Sequence, residues 1–471
     1  MTVTSERTRP ASGIVHLGLG AFFRAFGCVY VADAIAASGG DWGIIGVSLR
    51  SPATRDALRA HDWSYASVTL TPDGEDIRAI DVLNDVLVAP ENPEKVLVAM
   101  ADPAIKIVSL TVTEKGYCHN PATGALNVAH PDIEADLRNP LPVSAPGYLV
   151  RALQMRRMAG HAPFTVLSCD NLPDNGTLVR AVVLDLARRV DPDLADWIAQ
   201  HGRFPSTMVD RITPATTQAD IDRIAARTGT SGGAPVLHEP FAQWAIEDDF
   251  VSGARPDLGA AGAEMVADVS AHEQMKLRML NGTHSALAYT GYLAGHETIA
   301  ATVADPVFAA YVRRLWAEIM PAVTPPAGVD LFAYADALFQ RYANPAIQHR
   351  TWQIAMDGSQ KLPQRLLGTL ADNMAAGRPI EALSVGVAAW MRYVSGVDED
   401  GQPIDVRDPM AARLRDVSAA QDGADNKADA LLSLEEIFPP ELANRLRMPV
   451  TEAASRLWTI GARKALEEVN G

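Results

Sequence analysis

The apolar pattern divides the chain into two textures. In the first half, compact apolar runs alternate with helical spacing. Residues 14–17 read as a buried strand that runs into Gly18-Leu19-Gly20, and residues 22–38 follow as a helix through Tyr30, Val31, Ala34 and Ile35. Residues 42–49 (WGIIGVSL), 105–112 (IKIVSLTV) and 164–168 (FTVLS) are further strands; 146–160 and 176–202 read as helices. Strands and helices in this order predict a parallel, doubly wound sheet. From about residue 268 helical patterns dominate: 271–294, 305–319, 330–343, 361–376, 378–395, 407–421 and 450–469, with breakers between them at 321–328 and 401–403. The expected fold is α/β followed by all-α, with domains over 1–267 and 268–471.

The densest chemistry falls in Lys276-Leu277-Arg278-Met279-Leu280-Asn281-Gly282-Thr283-His284. Read as one α-helix at about 100° per residue, Asn281 lies about 140° around from Lys276 and His284 about 80°. An amine, an amide and an imidazole then share one side. The flanking Met275, Leu277, Met279, Leu280, Leu287 and Tyr289 predict a buried helix. Buried polar heads need partners. A substrate oxygen satisfies all three, with Lys carrying a proton while Asn and His stabilise a developing alkoxide. The alternative is an internally satisfied core Asn and His, with a snorkelling Lys.

Composition narrows the classes. The 471 residues carry 41 Lys and Arg against 57 Asp and Glu, a net charge of −16. That disfavours nucleic acid and anionic membranes as partners but leaves room for a local basic pocket. Cys28, Cys118 and Cys169 are far apart with no CxxC pair, so neither a disulfide framework nor a structural zinc site is expected. Residues 1–12 are polar, without the apolar core of a secretion signal. No apolar run is expected to reach membrane-spanning length. Cytoplasm is the default setting, and a monomer or small homo-oligomer the expected state.

Gly18-Leu19-Gly20 is half of a dinucleotide fingerprint; Phe23 replaces its third glycine. Its place at the first strand-to-helix junction favours a cofactor turn over a plain one. Backbone N–H groups from Gly20, Ala21 and Phe22 would face the pyrophosphate, with Arg24 adding a charged contact. After the second strand stands Leu49-Arg50-Ser51-Pro52, with no acid before Asp56. Arg50 could meet the extra phosphate of NADP or lie across the adenine. Further strand ends carry SLTVTEKGY (109–117) and SCDN (168–171). Asp210 beside Arg211 suits a structural pair as well as a functional one. The segment 348–365 gathers Arg350, Lys361 and Arg365 among Trp352, Ile354 and Leu362, as a solvated face or a pocket wall would.

These segments resemble the polyol-specific long-chain dehydrogenases, the mannitol 2-dehydrogenase and fructuronate reductase family. The matching motifs are GIVHLGLGAF, SLTVTEKGYC, FTVLSCDNLPDNG, MVDRITPAT, MKLRMLNGTHSALAY and MDGSQKLPQR, from residue 13 to 365, with WMRYVSGVDEDG fitting beyond them. The resemblance implies a metal-independent, NAD(P)-dependent oxidoreductase with an N-terminal Rossmann-type domain, an α-helical C-terminal domain and the active site between them. It implies Lys276 as the catalytic acid and base, and Asn171 and Asn281 as the amides on the reacting oxygen. It implies His284 as the group orienting substrate, with Asp210 and Lys361 in the substrate pocket. HRTWQIAMDGSQKLPQR and TEKGYC look nearer to fructuronate reductases than to mannitol 2-dehydrogenases. Arg350 or Arg365 would then grip a uronate carboxylate. The expected partner is a small sugar acid or polyol, and NAD, with NADP not excluded, is the expected cofactor.

For acid–base work at neutral pH, the Lys276 pKa must drop from about 10.4 toward roughly 7–8, by burial and the nicotinamide charge. Glu273 or Glu114 could relay the proton or simply form salt bridges. The family's usual histidines after Gly-Ala-Phe and Arg-Ala are Phe23 and Phe26 here. No tyrosine has Lys four residues on, against a short-chain dehydrogenase; a non-catalytic nucleotide sensor would not need Lys276, Asn281 and His284 together.

Overall fold

The computed structural model describes residues 9–120, 123–229 and 233–471. The first eight residues of the polar opening stretch lie outside them. The chain forms two compact units, Met1–Ser270 and Ala271–Gly471.

In the first unit a five-stranded sheet runs in the order Leu83–Val88, Gly43–Ser48, Ser12–Leu17, Ile107–Leu110, Thr165–Ser168, with every neighbour parallel. In chain order this is 3-2-1-4-5, so the winding reverses between Ser12–Leu17 and Ile107–Leu110. Ligands of such sheets sit beyond the carboxyl ends at that reversal. The strands are apolar on both faces because both are covered. Val15, Leu17, Val108 and Leu110 pack against Leu149, Leu153, Val182 and Val183. Ile14, Ile44, Ile107 and Leu167 pack on the other side with Phe23, Phe26 and Val31.

Three readings need amending. The helix expected over 176–202 is two, Asn175–Val190 and Pro192–His201. Asp191 Oδ1 caps the second by accepting the N–H of Asp193 and Leu194, and Pro192 occupies its first turn. Two small three-stranded sheets join the unit, one holding the hairpin of Tyr65–Thr71 and Gly74–Ile80, the other holding Thr207–Asp210. Gly74–Ile80 (GEDIRAI) lies mostly exposed at an edge, so it carries no apolar run to read. The helical stretch Ala21–Ser38 does reach membrane-spanning length by length and composition. It breaks at Phe26 into Ala21–Ala25 and Gly27–Ser38, and half of it is buried.

The second unit is helical. Thr283–Leu293 and Glu381–Val394 are buried on nearly every face and form its centre. Pro440–Ile460 and Ala462–Asn470 replace the single helix expected over 450–469. Pro449 lies inside the first, and Gly461, at φ 81°, breaks the pair. Ala424–Leu432 is a helix the pattern missed. The expected helices over 271–294 and 361–376 each contain a π-helical turn, at Lys276–Gly282 and Pro363–Leu367.

Candidate active site

Below the winding reversal, His16 Nδ1 meets Ser109 Oγ at 2.9 Å and Nε2 meets Thr111 Oγ1 at 2.9 Å. Thr111 Oγ1 donates to the Gly18 carbonyl at 2.9 Å. Burial holds His16 neutral, with its pKa lowered to about 3. Gly18 and Leu19 donate to the Val47 carbonyl at 2.9 and 3.1 Å, which bends the chain at the sheet edge. Gly18 sits at φ 89°, and a Cβ there would collide with the Thr111 carbonyl oxygen. Gly20 is open: the nearest atom to its Cβ direction is 3.7 Å away. These glycines line a cleft of about 870 Å³ together with Arg50, Ser51 and Thr54. The cradle fits a dinucleotide, since its backbone approaches are left clear by glycine alone.

Arg24 does not serve this cleft. It is buried, donates to the Ala234 carbonyl and lies over the Tyr65 ring at 5.4 Å. It lies in the last turn of the short helix Ala21–Ala25 and is buried there. Ala21 and Phe22 are half-buried and also outside the cleft lining; Phe22 stacks on Phe26 at 5.2 Å. Phe23 stacks on His16, with ring planes 5° apart, and Phe26 packs against Tyr30 and Trp244. Both replacements for the family histidines are therefore core residues.

At the neighbouring strand ends, the Asp170 carboxylate accepts the N–H of Val112 and Thr113, each at 2.9 Å, and the Tyr117 hydroxyl at 2.7 Å. It clamps the turn Thr113–Gly116 to the end of Thr165–Ser168. Asn175 Nδ2 donates to the carbonyls of Asp170 and Thr207 at 2.9 and 2.8 Å, tying in the strand Thr207–Asp210. This clamp presents Asn171, which is exposed, and Asp210, which is buried at its strand's last position. Arg211 spends its guanidinium on the carbonyls of Ala25 and Phe241. Asp170 and Asn175 lay within the motifs but carried no separate signal. Glu114 is exposed on the clamped turn.

In the second unit, Lys276 opens the π-helical turn and Asn281 nears its end. This corrects the angles expected from an α-helix. An i→i+5 ladder widens the turn, so five residues carry the chain only a little past one full turn, and Lys276 and Asn281 fall on the same side instead of about 140° apart. Carbonyls loosened by the wider turn find other donors: Trp316 Nε1 reaches Met279 O at 3.4 Å, and Tyr342 OH reaches Leu280 O at 3.1 Å. Gly282 lets the second π turn approach, since a Cβ there would stand 2.7 Å from the Arg365 carbonyl oxygen. Lys276 is buried and Asn281 half-buried. Glu273 lies one turn earlier, on Ser270–Met275.

His284 is buried beyond the turn, and its Nε2 has no partner. Its ring meets Tyr342 at 4.7 Å and His349 at 5.2 Å. Burial first, then His349, Arg341 and Arg365, push its pKa well below the ordinary value. His349 is lowered to about 4 by burial, then by Arg341, Arg365 and Lys361. Among the described residues, the groups acting most strongly on this histidine pair include no acid. Arg365 Nη1 donates to Ser285 Oγ at 3.0 Å. Lys361 donates to the Met356 carbonyl at 2.6 Å and lies 4.0 Å from Asp357. Burial, then Arg365, lower its pKa to about 8. Arg350 stands apart, exposed at the N-cap of Thr351–Ile354. Arg341 and His349 are among the groups acting on His284. His349 adjoins Arg350 within the cationic segment; Arg341, in helix Leu331–Tyr342, gave no motif.

Residues 12–260 match the family description "Mannitol dehydrogenase Rossmann domain", and 268–458 match "Mannitol dehydrogenase C-terminal domain". The chain belongs to the mannitol dehydrogenase family. It is an NAD-dependent oxidoreductase of that family. It is 46% identical to the D-mannonate oxidoreductase of Escherichia coli, covering 98% of this chain and 96% of that one. It is 39% identical to the mannitol 2-dehydrogenase of Aspergillus fumigatus, covering 98% and 94%. The fold superposes on Pseudomonas fluorescens mannitol 2-dehydrogenase, solved as a ternary complex with NAD and D-mannitol, with a TM-score of 0.85 at 36% identity, covering 98% and 94%. The family resemblance and the α/β-plus-helical fold expected from the sequence are both met.

Proposed function

We propose that this enzyme interconverts a sugar acid ketone and its secondary alcohol, as fructuronate reductase: D-fructuronate + NADH + H⁺ giving D-mannonate + NAD⁺. The carrying observation is the grouping of Arg341, Arg365 and Lys361 around the neutral pair His284 and His349. Arg365 spends one guanidinium nitrogen on Ser285 Oγ, and the rest of its fork can take an anion. A uronate carboxylate is that anion, and an arginine fork suits it. A ketose such as fructose offers only a hydroxymethyl at that end. The 46% identity to a D-mannonate oxidoreductase supports the same choice. Fructose and mannitol are the second reading, favoured by the likeness to mannitol 2-dehydrogenases.

The bound cofactor supplies the hydride for reduction and accepts it in the reverse direction. Lys276 Nζ gives its proton to the carbonyl oxygen as the C–O bond becomes single, and takes it back from the alcohol in oxidation. Asn281, brought to the same side as Lys276 by the π turn, donates to the developing alkoxide, a contact worth about 10²–10³ in rate. His284 Nε2 orients a substrate hydroxyl. Asn171 as second amide, and Asp210 in the substrate pocket, carry over from the resemblance. Gly18, Gly20 and Arg50 hold the dinucleotide. A cytoplasmic setting and a monomer or small homo-oligomer complete the reading.

Initial rates with D-fructuronate, D-tagaturonate, D-fructose and D-xylulose, each against NADH and NADPH, test it in wild type and Lys276→Ala. Wild type is expected to prefer the uronates, and Lys276→Ala to lose turnover while still binding NADH. Strong residual turnover in the variant would remove Lys276 from the mechanism.

A further inference from the structure

Cys118, His130 and Asp132 each bring one donor atom to within 4.8 Å of the other two. The intervening loop is closed on itself to do so. His119 bridges Leu126, Asn127 N donates to the Cys118 carbonyl at 2.8 Å, and His130 N donates to the Asn127 carbonyl at 3.0 Å. The thiol is buried, the imidazole half-buried and the carboxylate exposed. The cluster is thus rooted in the unit's interior and opens outward. All three residues line the same cleft as Gly18, Gly20 and Arg50. Among the described residues, none of the three is held by a strong side-chain partner. Cys118 Sγ makes a long contact to the Gly116 carbonyl at 3.8 Å. His130 Nδ1 accepts the Asp132 N–H at 3.2 Å and lies 4.0 Å from the Asp132 carboxylate.

We propose that Cys118, His130 and Asp132 bind a borderline-soft divalent cation, of which Zn²⁺ is the fitting type, in the wall of the dinucleotide cleft. The donor set decides the ion. One sulfur, one imidazole nitrogen and one carboxylate oxygen suit tetrahedral Zn²⁺ at about 2.0–2.3 Å, with water in the fourth position. A hard ion such as Mg²⁺ demands oxygen ligands and does not use a thiol. Binding releases one proton from the Cys118 thiol to solvent as the S–metal bond forms, and the loosely held carboxylate swings in to complete the set. The ion takes no part in hydride transfer. Its charge and hydration shell stand in the cleft, so metal and dinucleotide exclude one another. This separates it from the structural zinc sites that the cysteine spacing speaks against, since the ligands are not a CxxC pair but gather from a turn, a loop and a helix start.

The test is Co²⁺ titration of the full-length protein, free of dinucleotide, read by absorption. One equivalent is expected to give tetrahedral d–d bands and a thiolate-to-Co²⁺ charge-transfer band, both bleached by Zn²⁺ and both displaced by NADH. Cys118→Ser is expected to lose the charge-transfer band, and Asp132→Asn, on the exposed side, to weaken Co²⁺ at least about 10-fold. No charge-transfer band in the wild type, or the same band in Cys118→Ser, would overturn the proposal. Unchanged Co²⁺ affinity in Asp132→Asn would overturn it even if Cys118→Ser does not fold. Bands that persist under saturating NADH would overturn the competition.

Discussion

The imidazole of His349 meets that of His284 edge to face, with ring centroids 5.2 Å apart and planes at 85°. Two rings this close, buried among arginines, are stable only when neutral. The same holds for His16 and His238, whose pKa values burial lowers to about 3 and about 4.

That neutrality dictates an acid limit. Unfolded histidines take up protons below about pH 6.5, whereas His349 and His238 in the fold do so only near pH 4. Between those values the unfolded chain binds more protons, so stability rises with pH and is lost as pH falls. The melting temperature should drop as pH falls from 6.5 toward 4.5. His349→Gln should flatten that slope; an unchanged slope would mean that His349 is charged in the fold.

Lys361 sets an alkaline limit on substrate binding. With its pKa near 8, it loses its charge as pH rises from 7 to 9. KM for a sugar acid should climb over this range while KM for fructose stays within about twofold. Lys361→Arg keeps its charge throughout, so its KM profile for the acid should be flat.

Arg341 should act on the acid alone. Truncating one member of a buried charge pair costs about 2–5 kcal/mol. Arg341→Gln is therefore expected to lower kcat/KM for D-fructuronate by about 10²-fold and for D-fructose by less than about 10-fold. Equal losses with both sugars would make Arg341 a structural group only.

Gly282 separates the π turn from ordinary helix packing. A methyl there meets the Arg365 carbonyl oxygen at 2.7 Å and must push the two π turns apart. Gly282→Ala should cut kcat at least about 10-fold by moving Asn281 off Lys276, with the far-ultraviolet circular dichroism unchanged. Full activity would show that the alignment of Lys276 with Asn281 is not needed.

Much of this was readable from residue order, and the failures have physical causes. The central strands were legible because parallel strands covered on both faces are apolar throughout, as in Ile107–Leu110. Gly74–Ile80 was not, because an exposed edge strand needs no apolar run. The segment holding Lys276, Asn281 and His284 announced itself through polar groups in an apolar helix. Its π geometry did not, because it depends on Trp316, Tyr342 and Arg365, all distant in sequence. Arg24 misled because its partner, the Ala234 carbonyl, is distant in sequence and holds it in the core. Arg341 was invisible because a lone arginine at a helix end is ordinary until burial brings it beside His284.

A direct contest between substrates bears hardest on the sugar-acid assignment. Wild-type enzyme is given equal concentrations of D-fructuronate and D-fructose with limiting NADH, and the reduced products are quantified. Their ratio equals the ratio of the two kcat/KM values. The cationic group around His284 and His349 predicts mannonate in excess by about 10²-fold or more. Hexitol in equal or greater amount would contradict it.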